Sequence, residues 1–204
     1  MPTGDAPPPY LFLAHASWTA IFWSSYILFF FVTSWAFLRE RRAVRGDDRD
    51  RGSKSIIMIF SFMAVALAFS GPYIFPESQI GLPPAPVFWL AMVLFWAGTI
   101  LYPWAILTLG AFFRTSVQLL DGQRLITSGP YRYLRHPAYT AGVLAFSGIG
   151  LAMGNWFSFG ETILIVLLAY AFRIRVEEQA LAERFGPEFD AHRRRTWAII
   201  PLVW

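Results

Sequence analysis

Charged residues are missing from four long stretches of the 204-residue chain, and this pattern restricts the possible folds more than any other feature. Lys, Arg, Asp and Glu are absent from Ala6 to Leu38, from Ser55 to Pro76 and from Ser78 to Phe113, while Pro137 to Phe172 is interrupted only by Glu161. A helix that crosses a bilayer needs about 20 apolar residues, and every run supplies them. Only 15% of the residues are charged and 56% are hydrophobic, whereas a soluble domain carries about 25% charged residues. A single water-facing globule is excluded. The absence of Cys removes disulfide scaffolds, thiolate metal sites and cysteine nucleophiles.

The runs predict an all-α polytopic membrane protein with spans near Ser17 to Leu38, Ser55 to Phe75 and Val87 to Leu109. The segment before the first span, PTGDAPPPY, has no basic residue to act as the n-region of a cleaved signal, so the first span reads as retained. The last run differs from the others. As one straight helix its 35 residues from Ala138 to Phe172 would extend roughly 52 Å at 1.5 Å per residue, well beyond the ~30 Å hydrocarbon core. Gly154 and Asn155 form a turn signal in its middle. The expectation is a hairpin of two short helices, near Ala138 to Met153 and Phe157 to Phe172, with Glu161 near its far tip, giving five transmembrane helices.

All 17 Lys and Arg residues fall in three segments: 7 between Arg39 and Lys54, 4 between Ala111 and His136, and 6 between Arg173 and Trp204. The N-terminal tail, the Pro76 to Pro86 loop and the Gly154 turn contain none. The positive-inside rule then puts the three basic segments in the cytoplasm, the N-terminus outside and the C-terminus inside. Small size and short loops point to a bacterial inner membrane. A net charge of +4 sorted in this way describes a membrane topology and gives no indication of a nucleic-acid partner. The loop RERRAVRGDDRDRGSK also holds four acids and reads as a solvated turn facing lipid headgroups. No domain boundary appears, so residues 1–204 form one membrane domain, with three spans in 1–110 and the polar motifs in 111–204.

Two polar segments flank the expected hairpin and should meet at its cytoplasmic base. In LITSGPYRYLRHPAYTAG, Gly129-Pro130 is a turn, and Pro137 suits the first position of a helix with His136 at its entrance. Such an entrance attracts anions, and Arg132 and Arg135 add positive charge beside it. On spacing alone, arginines meeting lipid headgroups and a merely capping His136 fit equally well. In FRIRVEEQALAERFG, Arg173 and Glu177 are four apart and Arg175 and Glu178 three apart, the spacing of ordinary helix ion pairs. Adjacent carboxylates point to different sides of a helix, so one of the two can face a ligand.

Other candidates are weaker. The glycines of SGIGLAMG lie within an apolar helix with no preceding strand, which fits close helix packing better than a nucleotide loop. His15, His136 and His192 are dispersed, and no metal site is expected. Glu161 reads as interfacial.

The string LITSGPYRYLRHPAYTAG, followed by RIRVEE, FGPEFDAHRRR and a closing apolar stretch with proline, resembles the isoprenylcysteine carboxyl methyltransferase family and its bacterial relatives, over about Gly110 to Pro201. The resemblance implies a cytoplasmic C-terminal helical site enclosing S-adenosylmethionine, with a lipophilic acceptor arriving through a gap between helices. It implies donor-site roles for Arg135, His136, Pro137, Tyr139, Glu177 and Glu178, with less specific contacts from Tyr131 and Arg195. Arg175, and Arg135 with it, would lie by the reacting centre.

The chemistry implied is coherent. A methyl sulfonium is already electrophilic, and a carboxylate acceptor with a reference pKa near 4 is already ionised. Catalysis then reduces to alignment and exclusion of water. An amine or thiol acceptor would need deprotonation, with His136 or a glutamate as candidate base. Two further classes stay open: an NADPH-dependent membrane reductase of the sterol reductase type, which shares an Arg-His-x-x-Tyr string, and a non-catalytic lipid-binding membrane protein. The acceptor and the oligomeric state are not legible from the sequence.

Overall fold

The computed structural model describes residues 10–40, 47–48, 50–116, 118–119 and 122–201. The proline-rich tail read as lacking a signal n-region, and most of the basic loop after Arg39, lie outside the described residues. The protein is helical: α1 (Ala16–Glu40), α2 (Ser53–Ile74), α3 (Pro84–Leu109), α4 (Pro137–Ala152), α5 (Trp156–Phe185) and α6 (Pro187–Arg193). Short 3-10 turns precede α1 and α4. The strands are a two-residue antiparallel pair, β1 (Asp47–Asp48) with β2 (Gln118–Leu119).

Four helices, α1, α2, α3 and α5, are long and apolar enough to cross a membrane. The fifth apolar helix, α4, has 16 residues, about 24 Å at 1.5 Å each, and falls short of that length. The first three coincide with the expected spans to within a few residues. The last run differs: α5 does not stop near Phe172 but continues through its charged second half to Phe185 as one helix of 30 residues. Nothing in RIRVEEQALAERF breaks a helix, and Gly186, at φ +49°, ends it.

Local chemistry sets the boundaries. Pro84, Pro137 and Pro187 open α3, α4 and α6 at positions where a missing N–H is not needed. Between α4 and α5, Gly154 adopts φ +71°, and Asn155 caps α5 by accepting from the Ser158 N–H at 3.2 Å. The helices α3 and α4 pack most extensively, followed by α2 with α5 and α4 with α5. Gly98 and Gly148 let α3 and α4 meet: a Cβ on Gly98 would lie 2.4 Å from the Ala141 carbonyl oxygen, and one on Gly148 would lie 2.6 Å from that of Ala91.

The two ends of the bundle are chemically different. At one end Asn155 Nδ2 donates to the Phe75 carbonyl at 2.8 Å and Ile80 N–H to the Gly154 carbonyl at 2.9 Å, joining the α2–α3 loop to the α4–α5 turn. Half-buried Glu161 is near this end, accepting from Thr162 Oγ1 at 2.9 Å. The opposite end gathers the described residues just before α2 and between 110 and 136, the polar half of α5, and α6 with the described residues that follow it.

Candidate functional site

The polar end is assembled from segments distant in sequence. After α6 the backbone turns back to pair with the stretch preceding α4: Trp197 N–H donates to Tyr133 O, Arg135 N–H to Trp197 O at 2.8 Å, and His136 N–H to Ala198 O at 3.0 Å. Thr140 Oγ1 adds a bond to Ile199 O at 2.8 Å. These contacts fix the entrance of α4 against the chain that follows α6.

Arg135 Nε donates to Glu178 Oε1 at 2.7 Å, and its Nη1 donates to the carbonyls of Thr196 and Arg193. His136 is buried, with Nε2 3.3 Å from the same Glu178 oxygen and Nδ1 3.8 Å from Glu177 Oε2. The Tyr139 hydroxyl donates to Glu177 Oε2 at 2.6 Å and accepts from Arg173 Nε at 3.0 Å. The rings of His136, Tyr139 and Tyr170 form a stacked column with centroid spacings of 5.5 and 4.8 Å. The adjacent glutamates divide their work as helix geometry requires: Glu177 lines a cavity, while Glu178 holds Arg135 and His136 in position.

The cavity has a volume of about 800 Å3. Its polar part is formed by Tyr131, Arg135, His136, Tyr139, Arg173 and Glu177. Its apolar wall runs between α1, through Phe29, Phe30 and Phe37, and α2, through Ile57, Met58 and Phe62. The helix α1 packs mainly on α3, and α2 mainly on α5, and α1 and α2 meet through Phe22 and Trp23 against Phe69, away from the cavity-lining stretch of both helices.

Of the residues expected at the site, Tyr131, Arg135, His136, Tyr139 and Glu177 line this space, with Glu178 and buried Pro137 behind them. Two do not join them. Arg175 is exposed and outside the cavity, and so is Arg195. Two residues apart on a helix means about 200° around its axis, so Arg175 faces away from Glu177. The position beside the cavity belongs to Arg173, which is 2% exposed. Besides Tyr139, Arg173 donates through Nη1 to Asp50 and to Ser53 Oγ (2.5 Å), and through Nη2 to the Thr115 carbonyl at 2.9 Å. Its spacing to Glu177 was the available signal, because residues four apart share a face. No sequence signal pointed to Asp50 and Ser53, which lie more than 100 positions away.

Two further groups shape the electrostatics. Burial, followed by the charge of Glu177, pushes the Tyr131 phenol well above its ordinary range, so it stays protonated. Burial, then the nearby Arg135 and His136, lower the His192 imidazole below its usual value, so this cavity-lining group is neutral at neutral pH. Among the described residues no group of three His, Cys, Asp or Glu is arranged to hold a metal ion.

Comparison with known proteins agrees with this architecture. The chain is 31% identical over 114 residues to the Schizosaccharomyces pombe protein-S-isoprenylcysteine O-methyltransferase, covering 48% of this chain and 47% of that protein. It is 38% identical over 79 residues to the cobalt-zinc-cadmium resistance protein CzcN of Cupriavidus metallidurans, covering 39% of this chain and 36% of that one. A solved structure of the eukaryotic intramembrane Ras methyltransferase ICMT (isoprenylcysteine carboxyl methyltransferase) superposes with a TM-score of 0.58 at 25% identity, over 72% of this chain and 52% of that one. The chain thus spans about half or less of the length of these relatives. Residues 86–188, half of the chain, match the phospholipid methyltransferase family model, and the chain belongs to that family.

Proposed function

We propose that this protein is an integral-membrane enzyme that uses S-adenosylmethionine to methylate a lipophilic acceptor, either of the isoprenylcysteine-carboxylate kind or another lipid-like small molecule. The observation that carries this reading is the continuity of the cavity, whose polar pocket at the charged end of the bundle runs into an apolar wall between α1 and α2. A charged donor needs an aqueous door and a membrane-dissolved acceptor needs a lipid door. Both open on this one space. The relatives named as methyltransferases support the same reading.

The residues fit the donor. The volume falls within the ~300–1,000 Å3 of small-molecule sites, and among the described residues the lining offers one carboxylate, Glu177, beside the hydroxyls of Tyr131 and Tyr139. S-adenosylmethionine, when bound, supplies a methyl group already activated on sulfur. Glu177 is the group to take the donor's ammonium, by a charge-assisted hydrogen bond. Arg135 and His136, clamped by Glu178, form a wall that does not reorganise, and Tyr131 offers a neutral phenol. Arg173 supplies fixed positive charge where the polar pocket meets the apolar wall, and we assign to it the role beside the reacting atoms that the family resemblance implied for Arg175. For an ionised carboxylate acceptor these side chains need only align the reactants and exclude water.

In this reading α4 and α5 form the hairpin that completes five crossings, with the polar end in the cytoplasm and the N-terminus outside, in a bacterial inner membrane. Calorimetric titration of the detergent-solubilised protein tests the assignment. S-adenosylhomocysteine should bind and NADPH should not, and the opposite result would replace this reading with a reductase.

A further inference from the structure

The stretch that follows α6 has two faces. Its backbone is turned inward: the carbonyls of Arg193 and Thr196 accept from Arg135 Nη1, and those of Trp197 and Ala198 accept from the Arg135 and His136 N–H groups. Several of its side chains are turned outward. Arg194, Arg195 and Trp197 are exposed, as are Arg132 and Tyr133 on the stretch it pairs with.

These exposed residues form one patch outside the cavity. Leu134 and Trp197 bridge the two stretches in parallel, so Arg132 and Arg195, each two residues before the bridge, occupy matching positions. Trp197 N–H donates to Tyr133 O at 3.1 Å, which brings the two aromatic residues together. The Arg132 guanidinium lies 5.7 Å from the Tyr133 ring centroid. Among the described residues, Arg132, Arg194 and Arg195 make no ion pair with an acid. Neither 129–140 nor 191–201 contains an Asp or Glu.

Uncompensated arginines beside exposed Trp and Tyr rings complement a surface that is anionic and partly apolar. A soluble anion would match the arginines and leave the rings unused. The patch adjoins the entrance of α4, an apolar helix that opens at Pro137, and the end of an apolar helix is where aromatic and basic side chains settle among lipid headgroups. Like charges crowded on one short stretch repel each other, and anionic headgroups remove that repulsion. We propose that this patch binds the anionic headgroups of the surrounding bilayer, and that bound lipid orders the stretch whose backbone holds Arg135 and His136, so that membrane charge tunes the pocket behind it. The tuning of donor binding rests on the methyltransferase reading; the lipid contact does not.

The test places the full chain in phosphatidylcholine nanodiscs with and without phosphatidylglycerol, and reads thermal unfolding and S-adenosylhomocysteine calorimetry. In wild type, phosphatidylglycerol should raise the unfolding temperature and tighten S-adenosylhomocysteine binding about fivefold, the lower end of typical coupling between two sites. In the Arg132→Gln, Arg194→Gln, Arg195→Gln triple variant both gains should vanish, while affinity in phosphatidylcholine alone stays at the wild-type value. All three side chains are exposed, so the variant should fold. The proposal is overturned by a wild type that binds S-adenosylhomocysteine equally in both bilayers, by gains that survive the substitutions, or by weakened binding of the triple variant in phosphatidylcholine alone. It is also overturned if free glycerol phosphate reproduces the gains, which would make the partner a soluble anion. A wild type that binds no S-adenosylhomocysteine, yet is stabilised by phosphatidylglycerol through these arginines, would support the lipid patch and sink the methyltransferase reading instead.

Discussion

Arg135 and Glu178, 43 positions apart in sequence, meet at 2.7 Å and lock the entrance of α4 to the polar half of α5. Glu178 also holds His136, so one carboxylate organises two cavity-lining groups without facing the cavity itself. Removing its charge takes the carboxylate from Arg135 and loosens the hold on His136. Breaking a fully buried pair costs about 3–5 kcal/mol, and Glu178 is only partly enclosed, so about 1–2 kcal/mol is appropriate here. Glu178→Gln should weaken S-adenosylhomocysteine binding about tenfold in a calorimetric titration, whereas Glu161→Gln, at the other end of the bundle, should leave it within twofold. Equal losses would remove Glu178 from the site.

Arg173 and Arg175 can be separated by activity. Arg173→Met deletes donors to Tyr139, Asp50, Ser53 and Thr115, and Arg173→Lys keeps the charge but not the planar fork. Methyl incorporation from radiolabelled S-adenosylmethionine into a lipid extract should fall about 100-fold or more in both, against less than twofold for Arg175→Met. Retained activity in Arg173→Lys would show that geometry around the guanidinium is dispensable.

The depressed pKa of His192 makes stability fall in acid. A group whose folded-state pKa lies below its ordinary value of 6.5 favours the neutral form. Its contribution is complete above that value and is lost as pH falls from there through the lower folded-state pKa, because the unfolded chain binds more protons in that window. Thermal unfolding should therefore occur at lower temperature at pH 5.5 than at pH 7.5, and His192→Gln should reduce that difference. An unchanged difference would assign the acid sensitivity to other groups.

Orientation is open to direct chemical test because the chain has no Cys. Gly81 is exposed with open space around it, and Arg194 is exposed at the polar end. Gly81→Cys should react with a membrane-impermeant thiol reagent added to intact cells, and Arg194→Cys only after lysis. The reverse pattern would invert the topology.

Much of the scaffold was legible because bilayer-length helices follow from the absence of charge, a property of the sequence itself. The convergence of the RHP stretch with the glutamates was legible for a related reason: both flank the same apolar run. Choosing between Arg173 and Arg175 required the helix phase, which the spacing to Glu177 contained but which ion-pair counting concealed. Asp50 was hidden more deeply. It lies in a loop whose mixed charges read as solvated, yet it reaches a guanidinium 123 residues away, and that pairing depends on how α2 packs against α5. The continuation of α5 to Phe185 was obscured by its change from apolar to charged character, which ends a membrane run without ending a helix.

The backbone bonds from Trp197, Ala198 and Ile199 to the start of α4 impose an order on biosynthesis. Helices α1 to α5 are all translated before the segment that secures Arg135 and His136. A chain stopped just before Trp197 would hold every bilayer-length helix and yet lack the clasp at the entrance of α4, so the order of the polar pocket waits on residues 197–199.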